Sequence, residues 1–126
     1  MIKSISLLTR KEGMTHEQFV RHWYDVHAPL ARAVPGLRRY VQSHILEERK
    51  RPDIPSTDVA IDGIAELWYD DRDAMARAVA TPQARALFDD GALFIGRSDR
   101  VGLPHHRHSD AGSGTARTYP SESSRL

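Results

Sequence analysis

THEQFVRHWYDVHAPL, residues 15–30, decides how the chain folds and where its chemistry sits. Thr15 followed by Gln18 is a capping box, in which each side chain satisfies a backbone N–H that the start of a helix would leave unpaired. Phe19, Trp23, His27 and Leu30 then recur at steps of four, four and three. That spacing makes one helical stripe, with Val26 and Val34 beside it, facing a core or a cleft. Pro29 interrupts the pattern. It lacks an N–H and its ring crowds the carbonyl of Asp25, so a kink is expected with His27 at the bend. Pro35-Gly36 closes the segment as a turn.

On the N-terminal side, residues 2–9 (IKSISLLT) alternate as a strand does, with Ile5 and Leu7 on one face and Ser4, Ser6 and Leu8 on the other; Gly13 marks the following turn. On the C-terminal side, residues 37–47 set Leu37, Val41 and Ile45 against Tyr40, Gln42, His44 and Leu46. A polar loop over residues 48–57 carries Pro52 and Pro55. Residues 62–70 are a third strand, with Ala65, Leu67 and Tyr69 opposed to Ile64, Glu66 and Trp68. Asp71 or Asp73 caps a short helix reaching Ala80, and Thr81-Pro82 restarts it with Ala84, Leu87 and Phe88 as the buried stripe up to Gly91. Residues 98–106 supply the fourth strand, weakened by Gly102 and Pro104 and therefore an edge. Strand, helix, strand, strand, broken helix, strand is the order of an α+β, ferredoxin-like β-α-β-β-α-β split sandwich with both helices on one sheet face.

The helices are expected to cover Ile5, Leu7, Val41, Ile45, Leu67 and Tyr69. The other face, with Ser4, Ser6, Tyr40, Gln42, His44, Glu66 and Trp68, is too aromatic for solvent and too polar for a dry core. A second copy closing over it would enclose a pocket, so a homodimer holding a small-molecule ligand is expected.

Composition narrows the function. The 126 residues are one domain, spanning 1–108, and a Ser/Gly-rich stretch, 109–126, that buries too little to order itself and is expected to be a flexible tail. Eighteen Lys and Arg against seventeen Asp and Glu leave a net charge of +1, which argues against nucleic acid as a partner. The chain has no cysteine, which excludes disulfides, thiolate nucleophiles, iron–sulfur clusters and Cys-based zinc sites. No apolar run suits a signal peptide or a membrane span, so the expected location is cytoplasmic, away from membranes. No phosphate loop, dinucleotide fingerprint or Ser-His-Asp order occurs, and no cofactor is expected. His105, His106 and His108 read as an adventitious surface cluster and not a metal site, and His16 and His22 as solvated.

Phe19-x-x-x-Trp23-x-x-x-His27-x-Pro29-Leu30 resembles the signature of the EthD-like family of the dimeric α+β barrel superfamily, and Asp62-Gly63 with Glu66-Leu67-Trp68-Tyr69-Asp70-Asp71 is similar to its third strand. The resemblance implies a dimeric α+β barrel. Compared with the lactone-isomerising members, it implies catalytic roles for His27 and Tyr40, although those members carry a cysteine near Trp68 and this chain has none. The implied activity is cofactor-free acid/base chemistry on a small carbonyl or lactone compound in a catabolic pathway. The alternatives are an auxiliary ligand-binding protein of ether or aromatic degradation, or a cofactor-free oxidoreductase of the quinone-forming oxygenase type. A histidine titrates near neutral pH and a phenol can donate to a developing oxyanion, so the pair suits proton transfer beside a carbonyl. A structural role for His27, bonded to carbonyls freed by Pro29, competes with this. Ser4, Ser6, Trp23, Gln42, His44, Glu66 and Trp68 are expected to contact the ligand, with Glu66 orienting either histidine.

Overall fold

A strand needs only alternation and a helix needs a cap and a stripe, and each segment takes the form its pattern asks for. The computed structural model describes residues 1–56 and 60–104; the expected tail at 109–126 and the cluster of His105, His106 and His108 lie outside the described residues. The order is β1 (Ile2–Arg10), α1 (His16–His22), a wide π-helical turn (Trp23–His27), α2 (Ala28–Arg32), β2 (Arg39–His44), β3 (Gly63–Tyr69), α3 (Arg72–Val79), α4 (Pro82–Phe94) and β4 (Ile95–Pro104). The strands form one sheet in the order β2-β3-β1-β4 with antiparallel neighbours, the ferredoxin-like split arrangement. β4 is an edge strand, as its glycine and proline imply.

The caps follow the sequence. Thr15 Oγ1 accepts from Gln18 N at 3.1 Å while Gln18 Oε1 accepts from Thr15 N at 2.9 Å. Asp71 caps α3 by accepting from Ala74 N at 2.7 Å, and Thr81 caps α4 by accepting from Ala84 N at 3.2 Å. α4 runs past Gly91 to Phe94, which is fully buried, whereas Phe88 is 41% exposed and Val26 is also exposed. Asp62 fastens the N-terminal end of β3 to β1 and α1: it accepts from Arg10 N at 2.7 Å, Arg10 Nη1 at 2.6 Å and His16 Nδ1 at 2.8 Å. His16 is thus engaged, not free in solvent.

The register corrects which sheet face the helices cover. Ser4 and Tyr40 both stand opposite Leu67, Ser6 and Gln42 opposite Ala65, and Leu8 and His44 opposite Gly63. Directly paired residues point to the same side of a sheet. One face therefore carries Ile2, Ser4, Ser6 and Leu8 with Tyr40, Gln42, His44, Ala65, Leu67 and Tyr69, and its apolar members pack with Phe19, Trp23, Ala31, Leu87 and Phe94 of the helical layer. Ile5, Leu7, Val41, Ile64, Glu66 and Trp68 lie on the other face. The expected phase is right for β3 and reversed for β1 and β2. Alternation fixes two sides but does not say which is inward, and β1 has apolar residues in both phases.

Gly63 shows how closely helix and sheet approach. A Cβ at this position would collide with Trp23 Cζ3, would lie 2.6 Å from Trp23 Cη2 and would come within 3.2 Å of the Ser43 carbonyl oxygen. The indole ring therefore sits in the space that the missing side chain leaves. Gly63→Ala should destabilise the protein by ~1–3 kcal/mol through overpacking, read as a lower urea midpoint, and an unchanged midpoint would mean the ring is not seated there.

Candidate active site

Along its inward face β1 reads apolar, polar, polar, apolar: Ile2, Ser4, Ser6, Leu8. The helices above it follow suit. Ile2 belongs to one apolar cluster with Ala31, Val34, Tyr69, Ala78, Ala84 and Leu87, and Leu8 to another with Phe19, Trp23, Ala65 and Phe94. Between the clusters, over the two serines, is a cavity of about 850 Å³ whose walls include Trp23, His27, Tyr40, Leu67 and Phe88. That is ample for a small organic ligand. Ser4 and Ser6 are 8% and 7% exposed, and their hydroxyls make no hydrogen bond among the described residues.

Pro29 shapes the helical wall. With no N–H at that position, the chain widens by one residue just before it, and Ala28 N–H reaches back to the Trp23 carbonyl. The expected kink takes this form, with His27 as the last residue of the wide turn. The ring is not spent on freed carbonyls. His27 Nδ1 lies 2.8 Å from Asp90 Oδ2 on α4, and Asp90 Oδ1 lies 3.0 Å from His22 Nε2. A carboxylate only accepts, so Nδ1 carries the hydrogen and Nε2, unpartnered among the described residues, is left as a basic lone pair on a ring that lines the cavity. Burial lowers the His27 pKa from 6.5 and keeps the ring neutral, while the hydrogen bond and charge of Asp90 oppose that shift.

Tyr40 stands on the sheet wall of the same cavity. Gln42 Nε2 donates to the Trp23 carbonyl at 2.8 Å and to Tyr40 Oη at 2.9 Å, and Gln42 Oε1 faces His44 Nε2 at 2.9 Å. The Trp23 carbonyl can only accept, which fixes the amide orientation, and the amide N–H in turn makes Tyr40 Oη an acceptor. The phenol's own hydrogen is thus free for a ligand. Burial raises the Tyr40 pKa, so the hydroxyl stays protonated. His44 must donate from Nε2 to Gln42, and its ring packs on Trp23 with centroids 4.9 Å apart. It supports the network from behind.

Of the residues singled out in the sequence, Ser4, Ser6, Trp23, His27 and Tyr40 line one cavity, and Gln42 and His44 back it. The cavity lies between sheet and helices, not between two facing sheets. Glu66 and Trp68 are on the opposite face, where Glu66 pairs with Lys3 at 3.2 Å and Trp68 lies under Lys3 and Arg39. Glu66 orients neither histidine. Asp90 holds His27 and also His22, which is bound and half-buried, not solvated. One signal points to Asp90 in the sequence: Asp89-Asp90 falls in the C-terminal half of α4, where the helix dipole disfavours negative charge. Among the described residues no group of His, Asp and Glu side chains is arranged to hold a metal ion.

Asp90→Asn removes the negative charge that favours the imidazolium, so the His27 titration followed by proton NMR should move to still lower pH. A midpoint that stayed put or rose would show that Asp90 does not set the basicity of this ring.

Comparison with known proteins agrees with this architecture. Residues 11–98 match the EthD domain. The 4-carboxymethyl-4-methylbutenolide mutase of Pseudomonas reinekei is 32% identical over 98 residues, covering 77% of this chain and 91% of the mutase. An ethyl tert-butyl ether D (EthD) family protein from Bacillus halodurans superposes with a TM-score of 0.68 at 25% identity, over 84% of this chain and 99% of the other. A dimeric ferredoxin-like protein of Thermobifida fusca has the same fold, with a TM-score of 0.58 at 19% identity over 82% of this chain and 90% of that one. With its helix motif, its fold and its match across residues 11–98 in agreement, this chain belongs to the EthD family.

Proposed function

We propose that this protein is a cofactor-free isomerase of small lactones, with His27 as the base and Tyr40 as the hydrogen-bond and proton donor. One observation carries the reading: a histidine with its Nδ1–H bound to a carboxylate and a phenol with its own hydrogen unclaimed line the same cavity. A relative at 32% identity is a butenolide mutase, and a rearrangement without net change of atoms needs a proton acceptor and a proton donor more than it needs a cofactor. His27 Nε2 takes a proton from the CH2 next to the ligand's carboxyl group while the ring C–O bond on the neighbouring carbon breaks, and Tyr40 Oη–H stabilises the charge that moves onto the departing carboxylate oxygen. Closing the ring again through the other carboxylate, with the proton returned at a different carbon, completes an isomerisation. The chain has no thiol, so every step is assigned to nitrogen and oxygen groups. Asp90 steadies the imidazolium formed midway, and Ser4 and Ser6 offer hydroxyls to the ligand's remaining oxygens.

The test is turnover of 4-carboxymethyl-4-methylbutenolide. His27→Ala and Tyr40→Phe should each lower kcat/KM by about a hundred- to ten-thousand-fold with the fold intact by circular dichroism. Wild-type protein that binds the lactone without converting it, or a fully active Tyr40→Phe, would overturn the reading.

The assembly we propose is a homodimer joined through the sheet face that the helices leave bare. Ile5, Leu7, Val41 and Ile64 stand there in an antiparallel sheet, which usually keeps an apolar face only when something covers it. A relative in fold is described as dimeric. Sedimentation at micromolar concentration should give a dimer for the wild type and a monomer for Val41→Asp, and a monomeric wild type would refute it.

A further inference from the structure

Two histidines share one carboxylate, Asp90 of α4. His27 Nδ1 lies 2.8 Å from its Oδ2, and His22 Nε2 lies 3.0 Å from Oδ1 and 3.2 Å from Oδ2. Since a carboxylate only accepts, both nitrogens carry hydrogen, and a neutral His22 keeps its lone pair on Nδ1. The trio rests on the fully buried Phe94, whose ring centroid is 4.6 Å from that of His22 and 5.0 Å from that of His27. The two imidazoles open onto different spaces. His27, its side chain 10% exposed, lines the cavity, whereas His22, 26% exposed, lines a surface groove with Gln18, Arg21 and Asp25.

We infer that His22 is a positioning residue for the base: its Nε2–H keeps the Asp90 carboxylate turned to His27, and its charge, taken up from the groove, governs how far that carboxylate can steady the His27 imidazolium. The step it serves is the proton uptake proposed above for His27, and the inference rests on that reading. With His22 neutral, Asp90 and the imidazolium form a balanced pair when the ligand's proton arrives on Nε2. With His22 protonated, the same uptake leaves two cations on one carboxylate against an apolar ring, where repulsion is weakly screened. The groove lets solvent reach His22 even when a ligand fills the cavity, so the trio responds to pH while the base is covered. Burial lowers the His27 pKa most and the charge of His22 lowers it further, against the pull of Asp90. The other charged or titratable groups around the trio are Glu17, Arg21 and Asp25 on its own helical segment, Asp89 of α4, paired with Arg85 at 3.4 Å, Lys11, bound to the Ala92 carbonyl at 3.1 Å, and Tyr40 across the cavity; among the described residues none of them is hydrogen-bonded to the trio.

The test separates the hold from the charge. His22→Gln keeps an N–H for Asp90 and carries no charge, and His22→Leu keeps neither. In ligand-free protein followed by proton NMR, the His27 titration should move to higher pH in His22→Gln, which a merely structural role for His22 would not bring about. With the butenolide at about pH 8, above the ordinary histidine range, His22→Leu should lower kcat about tenfold with KM little changed, and His22→Gln should recover most of that loss. An unmoved or lowered His27 titration in a folded His22→Gln, or a His22→Gln no faster than His22→Leu, would overturn the inference. If the variants fail to fold, the wild-type protein decides: His22 and His27 should take up their protons in two separate steps, and one shared step would overturn it. A butenolide that is never converted removes the isomerase reading with the kinetic comparison and leaves the titration to decide.

Discussion

A hydrogen bond that Pro29 cannot donate organises the site. Because the helix has no N–H at that position it widens over Trp23–His27, and the Trp23 carbonyl at the start of the wide turn collects both the Ala28 N–H and the amide of Gln42 from the sheet. The second of these bonds fixes which way the Gln42 amide points. That orientation decides that Tyr40 Oη is an acceptor from Gln42 and leaves its hydrogen for the cavity. At the other end of the same turn His27 meets Asp90 of α4. One backbone irregularity therefore joins helix to sheet, sheet to phenol, and helix to carboxylate.

The cavity exists because the inward face of β1 is polar in its middle. Ile2 and Leu8 anchor two separate apolar clusters, and burying them stabilises the layer on either side of Ser4 and Ser6 without filling the space above the serines. Asp62, 3% exposed, holds the N-terminal end of β3 against β1 and α1 through charged hydrogen bonds. Burial alone would raise its carboxyl pKa, but the donors from Arg10 and His16 hold it below the ordinary value. The frame is therefore tied by ions at one end and packed by side chains at both, which leaves the polar centre free for a ligand.

Much of this was legible in the residues. The capping box at Thr15, the stripe of Phe19, Trp23 and His27, the Thr81-Pro82 restart and the alternation of each strand describe the element order, because those signals are local. What failed was not local. The phase of β1 and β2 relative to the helices was ambiguous, since Ile2 and Leu8 recommend one face and Ile5 and Leu7 the other, and only the packing against α1 and α4 decides between them. Glu66 shares the expected ligand face with Tyr40 and His44 in the sequence pattern, yet its side of β3 turns away from the helices, with Ile5 and Val41. Asp90 is separated from His27 by 63 positions in the chain, and only its unfavourable place near the C-terminal end of a helix distinguished it. The helix motif that carried the family resemblance was also the segment that positions the base, which is why the family was readable before the fold was in hand.

The proposed proton transfer needs one ring in one state: His27 neutral, with its hydrogen on Nδ1 against Asp90 and a bare lone pair on Nε2 in a ring that lines the cavity. Long-range nitrogen–proton correlation NMR of the histidine rings at neutral pH reads this directly. A protonated Nδ1 and an unprotonated Nε2 are expected for His27. An Nε2–H tautomer, or a ring carrying both protons at neutral pH, would contradict it, because neither leaves a base where the ligand would sit.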